Sequence, residues 1–339
     1  MTPLENLLKK RIAEEGPLSL ETFQQEALFH PQYGYYRTQK VLGDRGDFIT
    51  APEVSGLFGD VLGAFVLNEW DTTLGRPSCV SLIELGPGKG TLMGDVLRVG
   101  QLRPAFLEAA HVTLLEINPF LKATQKDHLS SYPLIVHWID TLEVLPENSG
   151  PLILLANEFF DVLPIQQWVQ DPKTPEGPWI ERKVSLKEDR LCLIPDGEDL
   201  KIQEKSPQRE ALFLKLLDLL KKRGGLLWIT DYGYEGPSSG DTLQGLYQRT
   251  PSPLLNYVGL TDLSSHVDFG RLATLAKDFS CEGPLTQGAF LKNNGLDLRL
   301  DALRRGASLT ERARLEAAYM RLVHPLQMGT LFKTLVIRP

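Results

Sequence analysis

The chain has 339 residues, of which 42% are hydrophobic and 23% charged, with a net charge of −7. That composition belongs to a globular protein large enough for one big domain or a domain with a substantial insertion, and its acidity argues against nucleic acid or an anionic membrane as the main partner. No apolar run reaches the roughly 18–20 residues of a membrane span, and three widely spaced cysteines (Cys79, Cys192, Cys281) form neither a disulfide framework nor a zinc pattern, so no metal is expected.

In chain order, residues 3–30 predict two helices, with Leu4, Leu7, Leu8 and Ile12 on one face of the first and Ser19 capping the second, Ser19 to Phe29. Secretory and mitochondrial leaders avoid acids, and Glu5, Glu14 and Glu15 stand in this first segment. The expected location is therefore the cytoplasm, or the mitochondrial matrix only if a presequence is missing from this chain. A loop rich in Gly, Tyr and Asp follows from His30 to Pro52, then a helix from Pro52 to Glu69. Strands are predicted at Val80–Leu85, Val112–Glu116, Leu134–Trp138 and Leu152–Asn157, with a helix from Pro119 to Leu129. Alternation over Ile165–Val169 and Trp179–Leu193 predicts an antiparallel hairpin joined by the turn Asp171–Pro178. A long helix, Ser206 to Arg223, stops at Gly224-Gly225 and leads into a strand, Leu226–Asp231. Helices near Phe269–Asp278 and across Leu296–Ala318 and a last strand, Leu331–Ile337, complete the series. The β-α-β-α-β-β-α-β order implies an α/β fold, a parallel sheet with helices on both faces, whose ligands sit beyond the carboxyl ends of the strands.

One of those ends is distinctive. Ser81-Leu82-Ile83-Glu84-Leu85-Gly86-Pro87-Gly88-Lys89-Gly90-Thr91 reads as strand, glycine turn, helix. Glycines remove Cβ atoms where a ligand approaches the backbone, and the helix N-terminus points N–H groups at it. The spacing G-x-G-x-G differs from the dinucleotide G-x-G-x-x-G, which disfavours a nicotinamide dehydrogenase. It resembles motif I of S-adenosylmethionine-dependent methyltransferases, in which the loop holds an amino-acid tail.

The other strand ends carry acids or amides. Glu116 suits the paired donors of ribose hydroxyls, or is an exposed strand-end acid. Asp140 has two readings, an adenine contact or a helix cap for Thr141 onward. In Asn157-Glu158-Phe159-Phe160-Asp161, Glu158 and Asp161 can hold a guanidinium with Phe159 or Phe160 lining the slot; the other reading makes Asp161 a turn cap and the rings core. Tyr35 and Tyr36, in a glycine loop, can close over cofactor or substrate, and Gly46-Asp47-Phe48-Ile49-Thr50 is a further local signal. Asp231 ends the fifth strand, and His266 is either a proton acceptor or a structural residue.

Taken in order, His30-Pro31-Gln32-Tyr33-Gly34-Tyr35-Tyr36, Gly46 to Glu53, Glu84 to Met93, Ala156 to Asp161, Asp231-Tyr232-Gly233, His266 to Phe269 and Met328 to Lys333 resemble the MidA-like family, which includes a mitochondrial complex I assembly factor that methylates arginine. The resemblance covers nearly the whole chain. Lys89 and Ala51 are mild departures from the family's usual Arg and Ser. It implies a class I (Rossmann-like) methyltransferase sheet with helical N-terminal and C-terminal insertions, S-adenosylmethionine as cofactor, and symmetric dimethylation of an arginine in a protein substrate, a core subunit of respiratory complex I in the mitochondrial relative. On this reading residues 1–50 form a helical lid region. Residues 51–235 form the cofactor-binding core, with a hairpin insertion near 165–194, and residues 236–339 form a substrate region with the final strand. The cofactor set is Glu84, Gly86, Pro87, Gly88, Gly90, Thr91, Glu116, Asp140 and Asn157; Glu158, Asp161 and His266 are catalytic; Tyr35, Tyr36, Phe159 and Asp231 meet substrate. Methylation of a small molecule or another side chain, and a cofactor-binding assembly module without turnover, are the alternatives.

Overall fold

Val80–Leu85 is buried at all six positions, and so is Leu152–Asn157. A strand apolar on both faces must be covered on both, which is the condition of a parallel sheet between helical layers. The computed structural model describes residues 1–38, 51–146, 150–171, 173–174, 176–197, 199–236 and 240–339; the Gly46–Thr50 loop lies outside them. Two units emerge, each made of three chain segments: a sheet unit (Ile49–Phe159, Lys215–Glu235, Phe269–Pro339) and a hairpin unit (Met1–Phe48, Phe160–Leu214, Gly236–Asp268).

The sheet unit has strands β1 (Val80–Leu85), β2 (Ala110–Leu115), β3 (Val136–Ile139), β4 (Leu152–Asn157), β5 (Gly225–Tyr234), β6 (Ser280–Thr286) and β7 (Phe332–Arg338). Their order is β6-β7-β5-β4-β1-β2-β3. β1 runs parallel to β2 and β4, with Ile83 opposite Thr113 and Leu154, and β5 runs parallel to β4 with Ile229 opposite Ala156. β7 is antiparallel to β5, Leu335 facing Ile229. This is the expected parallel sheet, doubly wound, with its last strand reversed. The winding changes direction between β1 and β4, so the crevice for a ligand opens at the carboxyl ends of those two strands.

The cores follow from the same patterns. Phe58 and Trp228, both fully buried, meet edge-on at 6.2 Å between ring centroids. Burying side chains of this size stabilises the fold by about 1.5–3 kcal/mol each. The expected helix Pro52–Glu69 is interrupted: Ser55 caps a new helix, Gly56–Asn68, by accepting from the Leu57 amide, and a π turn, Glu69–Thr73, extends it. β6 was not anticipated, because Gly283-Pro284 breaks its pattern; it is an edge strand whose register shifts between Glu282 and Leu285, where a proline costs no ladder bond.

In the hairpin unit, Thr2 and Glu5 form a capping box for the helix Pro3–Glu15, and Ser19 caps Leu20–Phe29 through the Thr22 amide. Leu4, Leu8 and Ile12 are buried, whereas Leu7 is 47% exposed; it lies about 100° from the centre of their stripe and falls off the packed face. Residues 166–170 pair with Lys201–Lys205 and Ile180–Glu181, and Lys183–Lys187 pairs with Arg190–Ile194 and Leu18–Ser19. Among the described residues no helix is long and apolar enough to cross a membrane.

Candidate active site

The glycine turn leaves β1 and enters the helix Thr91–Gly100. Gly86, Gly88 and Gly90 have φ of +61, +55 and +81°, the left-handed region that costs glycine little. The Gly86 amide donates to the Leu115 carbonyl at 3.0 Å, and the Gly90 amide to that of Pro87 at 2.8 Å. At Gly86 space is also short, since a Cβ there would stand 2.7 Å from Cδ2 of Phe159. Pro87 is buried, and Thr91 heads the helix half-buried.

Two buried acids flank the turn. Glu84 in β1 is 2% exposed; burial, with Glu116 nearby, pushes its carboxyl up to about 8, against the pull of a hydrogen bond from the Met93 amide. Glu116 follows β2. Its Oε1 accepts from the Asn118 amide (2.7 Å) and its Oε2 from Nε2 of Gln125 (3.1 Å). Burial raises its pKa, and the bonds from Asn118 and Gln125 with the charge of Lys122 oppose that rise. The Ile117 amide also hydrogen-bonds to it; a carboxylate has about four acceptor positions, so Glu116 retains capacity for a ribose hydroxyl. Asp140, after β3, is exposed and pairs with Lys122; the cap position of the turn Leu142–Val144 belongs to Thr141.

Beyond β4, Asn157 is buried, with Nδ2 donating to Oε1 of Glu158 at 3.3 Å and Oδ1 without a protein partner. Glu158 adopts φ +49°, a strained conformation for a side-chain-bearing residue. Its amide donates to the Thr230 carbonyl (2.8 Å), and its Oε1 also accepts from the Ala51 amide (2.9 Å). Phe159 leans on Gly86. Asp231, fully buried in β5, accepts from the Tyr232 amide.

The remaining expected residues cluster in the hairpin unit. Tyr35 is 1% exposed and meets Tyr36 edge-on at 5.0 Å. Tyr36 donates to Oδ1 of Asp262 at 2.9 Å, and burial together with Asp262, Tyr35 and Asp161 raises its pKa well above the usual phenol value. Phe160 is core, packed edge-on against Phe213. Asp161 is buried, and its carbonyl accepts from Arg209 and from the Ser265 amide. His266 has its pKa lowered by burial and by Arg209, so its imidazole is neutral at neutral pH.

The comparisons with known proteins agree with this geometry. A family model described as "Putative S-adenosyl-L-methionine-dependent methyltransferase" matches residues 61–199 and 192–285. The chain is 34% identical to the mitochondrial protein arginine methyltransferase NDUFAF7 of Danio rerio over 97% of this chain and 85% of that one. Against the Homo sapiens protein of the same name, identity is 32% over 100% and 84%. The chain belongs to the MidA-like family of S-adenosylmethionine-dependent methyltransferases. A crystal structure from Burkholderia thailandensis, bound to S-adenosyl-homocysteine, shares the fold of this MidA-like chain at a TM-score of 0.82 and 23% identity, over 99% of this chain and 92% of that one.

The residues of the MidA-like cradle fit S-adenosylmethionine. The turn presents glycine backbone without Cβ atoms, Glu116 has acceptor capacity, Oδ1 of Asn157 is a buried acceptor with no protein donor, and Oε2 of Glu84 is a buried polar atom with no protein partner. Two residues escaped the sequence reading. Gln125 is fully buried and bonds to both Gly88 and Glu116. Its signal was a polar residue in the apolar row Leu121, Gln125, Leu129. Arg209, 6% exposed, donates to the carbonyls of Phe160, Asp161, Ser265 and His266 and to the Ser265 hydroxyl. Its signal was a cation in the first turn of a helix, where the dipole disfavours it.

Proposed function

We propose that this methyltransferase acts on arginine side chains of a protein and forms symmetric dimethylarginine. The observation that carries the reading is Glu158: a carboxylate on a strained left-handed residue, at the end of β4, immediately before the ring that packs on the cofactor turn. Strain of about 1–3 kcal/mol at such a position is retained where the side chain must be aimed. The names of the curated relatives support a protein arginine as acceptor.

S-adenosylmethionine, when bound, supplies an electrophilic methyl group on a sulfonium. Glu116 is assigned to its ribose hydroxyls and the turn Gly86, Pro87, Gly88, Gly90 to its amino-acid tail, with Glu84, Thr91 and Asn157 beside it and Asp140 toward adenine. Glu158 accepts N–H groups of the guanidinium and keeps one nitrogen aimed at the methyl group, an orienting role that a planar fork of donors makes effective. Asp161 is assigned to the same guanidinium. Phe159, Tyr35, Tyr36 and Asp231 are assigned to substrate. As nitrogen gains carbon it loses a proton, and His266, neutral at neutral pH, is the proposed acceptor. A core subunit of respiratory complex I is the first substrate to test, and the cytoplasm the proposed location.

The test is transfer of labelled methyl from S-adenosylmethionine into an extract of the source organism lacking this protein, followed by amino-acid analysis. Label in one protein as symmetric dimethylarginine is the expected result. Label confined to small molecules overturns the protein-arginine reading, and cofactor binding without label anywhere replaces it with an assembly module.

A further inference from the structure

Gln125 lies on the helix Pro119–Leu129, whose N-terminus is fixed by Asn118 accepting from the Phe120 and Leu121 amides and by Pro119 in the first turn. Its side chain is fully buried. Nε2 donates to the Gly88 carbonyl at 2.6 Å and to Oε2 of Glu116 at 3.1 Å, while Oε1 accepts from Nε1 of Trp138 at 2.8 Å. These partners fix the amide's orientation without ambiguity. An indole N–H can only donate, so it must face oxygen; a carbonyl and a carboxylate can only accept, so they must face nitrogen. The three partners come from three places: the glycine turn after β1, the end of β2, and β3 itself. Gln125 also packs beside Gly90, where a Cβ would stand at ordinary contact, 3.4 Å from its Cγ.

We propose that Gln125 is a positioning residue that locks the glycine turn and Glu116 into a single frame and so sets the affinity for the adenosyl cofactor. It touches neither reacting atom. It holds the carbonyl of the turn's central glycine and the carboxylate intended for the ribose at one separation, with Trp138 preventing the amide from flipping. It also helps keep Glu116 an acceptor: its one hydrogen bond, with those of the Asn118 and Ile117 amides, favours the charged carboxylate in a buried place that would otherwise favour its protonated form. The inference rests on the cofactor alone and is independent of which acceptor is methylated.

Glu116 faces Glu84 on β1, the Asn118 and Ile117 amides, and Lys122 on the same helix as Gln125; Lys122 also pairs with Asp140. Replacing Gln125 by methionine keeps the length and removes all three bonds, those to Gly88 and Glu116 and the one from Trp138. It leaves Glu116 with burial less opposed, so its protonation moves to higher pH. The experiment is calorimetric measurement of S-adenosylhomocysteine affinity from pH 5 to 9 for the wild type, Gln125→Met and Gln125→Glu, with thermal melts of each.

In Gln125→Met the dissociation constant is expected to rise about 10- to 100-fold, the range for losing a hydrogen bond to a charged group. The pH at which binding weakens on acidification also moves up. Gln125→Glu places a third carboxyl beside Glu116 and the Gly88 carbonyl. Its affinity is expected to improve as pH falls and the new acid becomes a donor, the reverse of the wild-type trend. If Gln125→Met does not fold, that reversed slope decides the matter. Affinity within twofold of wild type in either variant, or a loss equal at every pH, overturns the proposal.

Discussion

Replacing Gly86 by alanine separates what the turn does for folding from what it does for the cofactor. Its φ of +61° lies where an L side chain meets the following carbonyl, at a cost of about 1–2 kcal/mol. The new Cβ would also approach Cδ2 of Phe159 at 2.7 Å, about 1 Å inside normal contact. Phe159 is half-buried and its ring can swing away, so the added stability cost stays near the lower end of the roughly 1–3 kcal/mol of overpacking. The natural control is Gly224→Ala: φ there is +74° and nothing lies within 4 Å of a built Cβ, so only the conformational cost applies. Each kcal/mol corresponds to about 2–4 °C in Tm for a domain of this size. Thermal melts and calorimetric binding of S-adenosylhomocysteine are measured on both variants. Gly224→Ala is expected to lose a few degrees with unchanged affinity. Gly86→Ala should lose more and bind at least about tenfold more weakly, which is about 1.4 kcal/mol. If Gly86→Ala binds the cofactor as tightly as Gly224→Ala, the turn does not form the cofactor's cradle.

Glu158→Gln should leave cofactor affinity within about twofold but lower methyl transfer by about 10²-fold, the scale of losing the orientation of a reacting group; a filter assay with labelled cofactor reads it, and undiminished transfer removes Glu158 from the mechanism. Glu84 binds its proton more tightly folded than unfolded, so stability should fall as pH rises from 4.5 to about 8. Each unit of that window is worth about 1.4 kcal/mol, so Glu84→Gln should be several kcal/mol more stable than wild type above pH 8 and lose the advantage below 4.5; urea unfolding at several pH values decides it. Tyr36→Phe removes the hydrogen bond to Asp262 and should cost about 1–2 kcal/mol by the same measurement.

Much of the sheet was legible because its strands obey one rule. β1, β4 and the helix Pro119–Leu129 sit at the residues where the sequence predicts them. The glycine turn and Glu116 stand at the carboxyl ends of β1 and β2 for the same local reason. Illegible features depend on distant partners. β6 exists because β7 offers it an edge, and Arg209 matters because it gathers carbonyls from residues 160–161 and 265–266. Asp140 and Thr141 compete for a cap that either side chain could fill, and only the backbone gives it to Thr141. A reading in chain order also has no means of assigning residues 160–214 and 236–268 to the same unit as the N-terminus, since no local pattern marks the return.

That interleaving governs how the protein can be taken apart. Six alternating segments give five passages of the main chain between the units, one of them inside the helix Pro207–Arg223 and another between Phe159 and Phe160. Neither unit corresponds to any contiguous gene fragment, so no truncation from a terminus removes one unit and leaves the other whole. Recombination cannot exchange the hairpin unit in one crossover; a chimaera needs three inserts spliced at five joints.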